Sequence, residues 1–243
     1  MKQDSLQIND QLVAYTVVHR PRVTRRIHLE IDDEGGLLVV APKRMSRRAI
    51  NRALQERAGH VARFLQRARS KQQDLPVLRY VNGEEHFLLG EKIPLVVDCQ
   101  PEKRGKIWKS DGQIFVLAAD PTAENVKNLL TRWYRQLAAE LFVRRLEYFS
   151  ALAPWTAGQV PAMRLRRMKR TWGSCSSRGL ITLNPHLVKA PPECIDYVVA
   201  HEICHIREHN HGRAFYALQE QLYPQGSAVK ALLNDRGHTF LHS

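Results

Sequence analysis

The 243-residue sequence predicts an α+β protein, in which an antiparallel, β-rich N-terminal region precedes a core of one long helix, a β-hairpin and two further helices. Three observations predict this class. Apolar and polar residues alternate in residues 11–42 and again in residues 76–118, which is the period of half-buried strands. Residues 120–149 carry apolar side chains at helical spacing. Residues 190–209 repeat that helical pattern after a turn rich in glycine and serine.

The N-terminal strands are followed by a basic helix. The segments LVAYTVV, RRIHLEID and LLVVAP predict three strands of an antiparallel meander, with DDEGG as a turn. Ser46 is an N-cap residue, and the helix that it begins is expected to run to about Lys71. Its apolar face is formed by Ile50, Leu54, Val61 and Leu65. Its opposite face is formed by Arg47, Arg48, Arg52, Arg63 and Arg67. We expect solvent at this charged face, and contact with a polyanion is the alternative.

A second set of strands leads to the long helix. The segments LRYVNG, EHFLLGEKIPLVVDC and KIWKSDGQIFVLAA predict strands separated by turns at NG, LGEK and SDGQ. Asp120 before Pro121 predicts an N-cap and a proline at the first helical position, and the helix should reach about Phe149. Its apolar stripe is formed by Val126, Leu129, Trp133, Leu137, Leu141 and Leu146. We therefore divide the chain into residues 1–118 and 119–243, with one continuous domain as the alternative.

Composition restricts the partners and the location. The formal net charge is +13, which favours polyanions such as nucleic acid but is equally compatible with solubility alone. The longest apolar runs are far shorter than the roughly 20 residues of a membrane span, and the first ten residues are polar. We read the four cysteines as reduced thiols. These features predict a cytoplasmic protein that contacts no membrane, and they leave its oligomeric state open.

The segment YVVAHEICHIREHNHGRAFY contains the chemistry that is most specific in the sequence. His201 and His205 are four residues apart, so on a helix their imidazoles lie on one face and can converge on one metal ion. Glu202 is rotated about 100° from His201, beside such an ion rather than on it. That is the position of a general base that takes a proton from a zinc-bound water.

A catalytic zinc requires three protein ligands and one open position. His209 and His211 are the candidates for the third ligand. On a continuing helix, His209 would lie about 12 Å from His201 along the axis, which is too far for both to bind one ion easily. Asn210 tolerates the left-handed conformation that ends helices, and such a turn would bring His211 back to the metal. We choose His211 and place His209 outside the ligand set.

Motifs around this segment resemble the YgjP-type metallopeptidase family, which belongs with SprT-like proteins in the wider zincin group. The motifs are W-G-S-C at 172–175, I-x-L-N at 181–184, D-Y-V-V-x-H-E-x-x-H at 196–205, and His211 with Phe215. The strong match covers about residues 165–216. The resemblance implies a zincin-like metallopeptidase core with one Zn²⁺ per chain, zinc ligands at His201, His205 and His211, and a catalytic Glu202.

These inferences predict a zinc metallopeptidase that hydrolyses protein or peptide substrates. Tyr216, His209 and Arg213 are candidates for the oxyanion partner, and Phe215 is expected in the core. One alternative is a metal-dependent hydrolase of a nucleotide phosphoanhydride. Another is a binding module with a structural zinc, which would need a fourth ligand such as Cys175 or His209.

The neighbouring strands should form the substrate cleft. An extended substrate is expected to pair with the strand at residues 180–183 through main-chain hydrogen bonds. Four basic residues precede that strand, and we expect either solvent or an acidic substrate around them. They are Arg166, Arg167, Lys169 and Arg170. The helix from Asp120 to Phe149 should pack behind the helix that carries the histidines.

Overall fold

A computed structural model describes residues 3–8, 11–19, 26–32, 36–73, 77–101, 105–169 and 171–242. The chain forms two compact units, residues 1–76 and residues 77–243. The class is α+β, as the sequence predicts. The division of domains at residue 118 is not tested by these units and stays a prediction. Of the helices described, none has both the length and the apolar character needed to cross a bilayer.

The first unit contains a four-stranded sheet. Its strands are β1 (Gln3–Ile8), β2 (Gln11–His19), β3 (His28–Ile31) and β4 (Leu37–Ala41). The order is β1-β2-β4-β3, and β2 runs parallel to β4 while the other pairs are antiparallel. The predicted meander is therefore wrong in its topology, and β1 was not predicted. The run LLVVA in β4 is almost wholly buried, which suits an inner strand. Part of the expected DDEGG turn lies outside the described residues.

Two helices cover this sheet where the sequence predicts one. They are α1 (Arg47–Gln55) and α2 (Ala58–Gln73), and the Ser46 hydroxyl accepts the Ala49 N–H at the start of α1. The ladder of helical hydrogen bonds is interrupted at Arg57, whose N–H donates to the Leu54 carbonyl. Ile50, Leu54 and Val61 are buried in the core of this unit, as predicted. The five arginines of the opposite face are exposed.

The second unit begins with another mixed sheet. Its strands are β5 (Glu85–Leu88), β6 (Glu91–Cys99), β7 (Lys106–Ser110) and β8 (Gln113–Ala118), in the order β5-β6-β8-β7. The segment LRYVNG is not a strand. The Arg79 and Tyr80 N–H groups donate to the Glu84 carboxylate, both at 2.7 Å, and Tyr80 has a φ of 59°. A side chain thus takes the donors that a neighbouring strand would have used.

The long helix α3 (Ala123–Leu152) begins later than predicted. Thr122 occupies the N-cap position, while the Asp120 carboxylate accepts from the side chains of Thr122 and Asn125 instead of capping the backbone. The buried face follows an i, i+4 line formed by Val126, Leu130, Tyr134, Ala138, Phe142 and Leu146. Leu129, Trp133, Leu137 and Leu141, expected at the centre of the stripe, lie at its partly buried margins.

The remaining elements surround the histidine segment. Three short strands, β9 (Met163–Leu165), β10 (Gly173–Cys175) and β11 (Ile181–Leu183), form a sheet in the order β10-β11-β9. A 3-10 helix (Pro185–Lys189) leads into α4 (Pro192–Arg207), α5 (Arg213–Leu222) and α6 (Gly226–His242). Sequence reasoning missed β9 as a separate strand and missed α6 entirely.

Candidate metal centre

Helix α4 presents His201, Glu202 and His205 from a fixed position. Asp196, one and a half turns earlier, forms a bidentate ion pair with Arg145 of α3, with N–O distances of 2.5 and 2.7 Å. The indole N–H of Trp155 donates to the Ile203 carbonyl at 3.1 Å. These contacts place α3 behind α4, as the sequence predicts, and they hold α4 from the side opposite its histidines.

The Nε2 atoms of three histidines converge. Nε2 of His211 lies 3.0 Å from Nε2 of His201 and 3.1 Å from Nε2 of His205. Zn–N bonds of about 2.0–2.1 Å in a tetrahedral site separate the nitrogens by about 3.3 Å. The observed spacing therefore fits one ion shared by the three rings. Within the described part of the chain, this is the group whose ligand atoms are close enough to hold a metal, and neither Cys175 nor His209 belongs to it.

The turn after α4 brings His211 to the other two histidines, but not as expected. Helix α4 ends at Arg207, and Glu208 is extended with φ −123° and ψ 102°. Asn210 is not among the residues with positive φ, so the expected left-handed turn is wrong. A tight contact from the Gly212 N–H to the Asn210 carbonyl, at 2.7 Å, reverses the chain instead. His209 points to solvent.

The second ring nitrogens of two of these histidines have partners. Nδ1 of His205 donates to the Glu208 carbonyl at 2.9 Å, and Nδ1 of His201 faces the amide oxygen of Gln219 at 3.4 Å. Such partners leave the lone pair on Nε2, which is the form that binds a metal. Burial, followed by the neighbouring histidines, lowers the pKa of His201 to about 4. Gln219 was missed because nothing in its sequence context marks it.

Phe215 lies beneath the three imidazoles. Its ring centroid is 4.8, 4.5 and 4.7 Å from those of His201, His205 and His211, and its side chain is fully buried. The prediction that Phe215 belongs to the core is confirmed. Its ring restricts the rotamers of all three histidines at once, because each imidazole packs against it.

Glu202 is buried beside the histidine cluster. Only 4% of its surface is exposed, burial raises the pKa of its carboxyl group to about 8, and Oε2 has no hydrogen-bond partner among the described residues. A Cβ atom at Gly173 would lie 2.5 Å from Oε1 of Glu202. Glycine is therefore required at this point of β10 so that the strand can pass directly over the carboxylate. The sequence places Gly173 in the W-G-S-C motif, but it does not predict that a side chain there would collide with Glu202.

A cleft of about 430 Å³ opens at His201 and Glu202. One wall is the segment before β10, including Trp172, and the other is α6. His238 of α6 lines this cleft, and both of its ring nitrogens are buried without a hydrogen-bond partner in the described structure. The expected oxyanion candidates Tyr216, His209 and Arg213 do not line it.

The described basic residues before β10 lie in different places on the structure. Lys169 lines the cleft, whereas Arg167 lines a different cavity and Arg166 is exposed elsewhere. Arg170 lies outside the described residues. Four residues expected to act on one substrate are thus not gathered at one site in the part that the structure describes.

The prediction that an extended substrate pairs with the strand at residues 180–183 is wrong. Strand β11 is the middle strand of its sheet, paired antiparallel with β10 and parallel with β9, and its three residues are buried. The strand at the edge is β10. Trp172 O and Ser176 N bond to Asn184 and Leu180 on the β11 side. Because antiparallel pairing alternates, the backbone groups of Gly173 and Cys175 face away from β11.

A comparison with known protein families agrees with a metal-binding role for this site. A family model described as YgjP-like, metallopeptidase domain, matches residues 25–236. The chain is also similar to the solved structure titled "Crystal structure of the metallopeptidase zymogen of Pyrococcus abyssi abylysin". That match has 22% identity and a TM-score of 0.34, and it covers 38% of this chain and 92% of the other. No curated protein matches the chain.

Proposed function

We propose, from the premise that this chain belongs to the YgjP-like metallopeptidase family, that it is a zinc-dependent peptidase with Glu202 as its general base. The observation that supports this most directly is the convergence of three imidazole nitrogens, 3.0–3.1 Å apart, at the mouth of a cleft that also contains Glu202. The donor set is neutral nitrogen, which suits zinc better than the oxygen-binding cations magnesium and calcium.

His201, His205 and His211 would hold the ion. A bound zinc supplies Lewis acidity, which polarises a carbonyl group and makes a water molecule a better nucleophile at neutral pH. Only three protein ligands converge among the described residues, so the arrangement favours the open, catalytic type of site over the closed structural type. Cys175 stands apart, and burial raises the pKa of its thiol to about 11, which favours a packing role.

Glu202 would move the proton. Burial alone keeps this carboxyl group protonated near neutral pH, but the positive charge of a zinc ion on the three histidines would favour its ionised form. The unpaired Oε2 would then accept a proton from the attacking water and later deliver it to the amine that leaves. Gly173 leaves space for the other carboxylate oxygen, because a Cβ atom there would lie 2.5 Å from Oε1. His238 lines the same cleft with both ring nitrogens unpartnered, and we assign it the donor role toward the oxygen that becomes negative.

The substrate would be an extended peptide along β10. The outward backbone groups of Gly173 and Cys175 offer one hydrogen-bond donor and one acceptor each, and a peptide could add to the sheet there. Nucleotide hydrolysis has weaker support, because Lys169 and Lys230 are the lysine and arginine side chains that line the histidine cleft among the described residues, while Arg167 lines the other cavity. The predicted cytoplasmic location stays a prediction.

The test is a cleavage assay with zinc-loaded protein. Wild type should cut an unfolded, casein-like protein, and Glu202→Gln should retain zinc while losing several orders of magnitude in rate. His238→Ala should lower kcat by about 10²–10³ with little change in zinc content. Intact protein substrate together with Glu202-dependent release of pyrophosphate from nucleoside triphosphates would reject the peptidase proposal. An effect of His238→Ala on KM alone would reject its donor role.

A further inference from the structure

A second cavity lies in the same compact unit, on the other side of Leu241 from the histidine cleft. Its volume is about 130 Å³, and Leu241 is the residue that lines both. An engineered cavity of roughly 150 Å³ in another protein admits benzene, so this space is sufficient for a small ion. No part of the proposed peptidase mechanism uses it.

Lys189 is the most informative residue of this cavity. Its surface is only 4% exposed, and no carboxylate of the described residues forms an ion pair with it. Its Nζ lies 4.8 Å from the centre of the Tyr134 ring. Burial, followed by the charge of Arg167, lowers the pKa of Lys189 to about 7. A buried lysine without a counterion is costly, so a ligand that supplies the missing negative charge would be favoured.

Three more cations surround the opening. Lys127, Arg135 and Arg167 line the cavity and are exposed, and none of its lining residues is acidic. Two nearby carboxylates are not part of the lining, and both accept hydrogen bonds from other groups. Glu84 accepts from His86 and from two backbone N–H groups, and Glu124 accepts from Asn128. The lining itself thus carries four basic side chains and no acidic one, and arginine and lysine are the side chains that recognise oxyanions.

The neutral residues of the cavity add polar groups. Tyr80 reaches it from a left-handed backbone conformation, φ 59°, which is uncommon outside glycine and is fixed by the Glu84 carboxylate. Such conformations cluster where a side chain must be held in one place for binding. Nδ1 of His186 is buried in the same lining without a hydrogen-bond partner among the described residues.

We propose that this cavity binds a tetrahedral oxyanion of the phosphate class, with Lys189 at its base and Arg167, Arg135 and Lys127 at its opening. The buried ammonium and the guanidinium groups would donate to the oxygens of the anion. The volume suits the free ion, because a nucleoside attached to the phosphate would have to remain outside. The proposal does not depend on peptidase activity.

The test is calorimetric titration of the zinc-loaded protein with inorganic phosphate at constant ionic strength. Arg167→Gln and Lys189→Met should each weaken binding by about tenfold or more, as expected for a lost charge-assisted hydrogen bond. Arg166→Gln is the matched control, because it removes the same charge at the adjacent position outside the cavity. It should change the affinity less than twofold. Circular dichroism checks that each variant is folded.

Further titrations identify which anion binds and at which of the two sites it binds. Sulfate should compete with phosphate, and a nucleoside monophosphate should bind more weakly than the free ion. His211→Ala, which changes the histidine cluster beside the other cleft, should leave phosphate binding unchanged. The proposal fails if Arg166→Gln weakens binding as much as Arg167→Gln, if Arg167→Gln has no effect, or if His211→Ala abolishes binding and so places the anion on the metal. Tighter binding of the nucleotide would reject the free ion as the ligand.

Discussion

The histidine cleft and the cationic cavity meet at Leu241, yet they gather polar atoms of opposite kinds. At the mouth of the cleft, three imidazole nitrogens with free lone pairs approach one another to 3.0–3.1 Å. In the cavity, the ammonium group of Lys189 and three exposed cations surround a space with no acidic lining residue. Converging acceptors attract a cation and converging donors attract an anion, so the same helix α6 borders two sites of opposite selectivity.

Burial lowers the pKa of a basic side chain in both sites, but the protonation state that results is different. It lowers the pKa of His201 to about 4 and the pKa of Lys189 to about 7. The imidazole is therefore neutral at physiological pH and available as a ligand. The lysine titrates within the physiological range and still binds a proton when an anion is near. The difference arises from the ordinary pKa values of the two groups, not from the depth of burial alone.

The largest effect that would sharpen the comparison concerns the metal. His211→Ala should weaken zinc binding by more than about a hundredfold, because it removes one of three ligands, whereas loss of a supporting group costs about 10–100-fold. His209→Ala, two residues away and exposed, should bind zinc like wild type. Competition titration with a chromogenic chelator measures both. Equal loss in the two variants would show that the cleft does not select His211.

A smaller effect concerns the position of Glu202. Gly173→Ala places a methyl group 2.5 Å from Oε1 and should displace the carboxylate. Peptidase activity should fall by about a hundredfold, the cost of a misplacement of about 1 Å, while zinc content stays unchanged. Gly212→Ala is the control, since a Cβ atom there meets nothing within 4 Å. If both variants are equally active, the contact of β10 with Glu202 has no catalytic role.

The smallest effect belongs to the cationic cavity and concerns pH. The pKa of Lys189 is lower in the folded state, about 7, than the unfolded value of 10.5. Between these values the unfolded chain binds more protons, so this residue makes the free energy of unfolding rise with pH. The slope approaches about 1.4 kcal/mol per pH unit. Urea unfolding of wild type and Lys189→Met, in buffer without phosphate or sulfate, measures the difference. Parallel curves would contradict the lowered pKa.

Local patterns explain what could be predicted. The spacing of His201 and His205 places them on one helical face whatever the rest of the chain does, and Ser46 caps its helix through an atom three residues away. Fold class follows from such periodicities. The face of α3 was predicted only approximately, because Leu129 and Leu130 are equally apolar and the packing of α4 and the sheet decides between them.

Long-range pairing explains what could not be predicted. In the first sheet β2 pairs with β4 instead of with β3, the next strand in the chain. In the third sheet β11 lies between β9 and β10. Both arrangements depend on contacts between segments that are not neighbours in the sequence. Gln219 reaches His201, and His238 reaches the cleft, only through the packing of α5 and α6 against α4. Lys189 appears in the sequence as one of 37 basic residues, and its burial is visible only once α3, α6 and the 3-10 helix enclose it.

The position of Phe215 under three imidazoles has a spectroscopic consequence. An aromatic ring whose centroid is 4.5–4.8 Å from each histidine ring shifts the NMR signals of the nearby protons by its ring current. The carbon-bound protons of His201, His205 and His211 should therefore resonate apart from those of the other eight of the chain's 11 histidines. Occupancy of the cleft could then be followed in unlabelled protein by one-dimensional spectra, without a substrate.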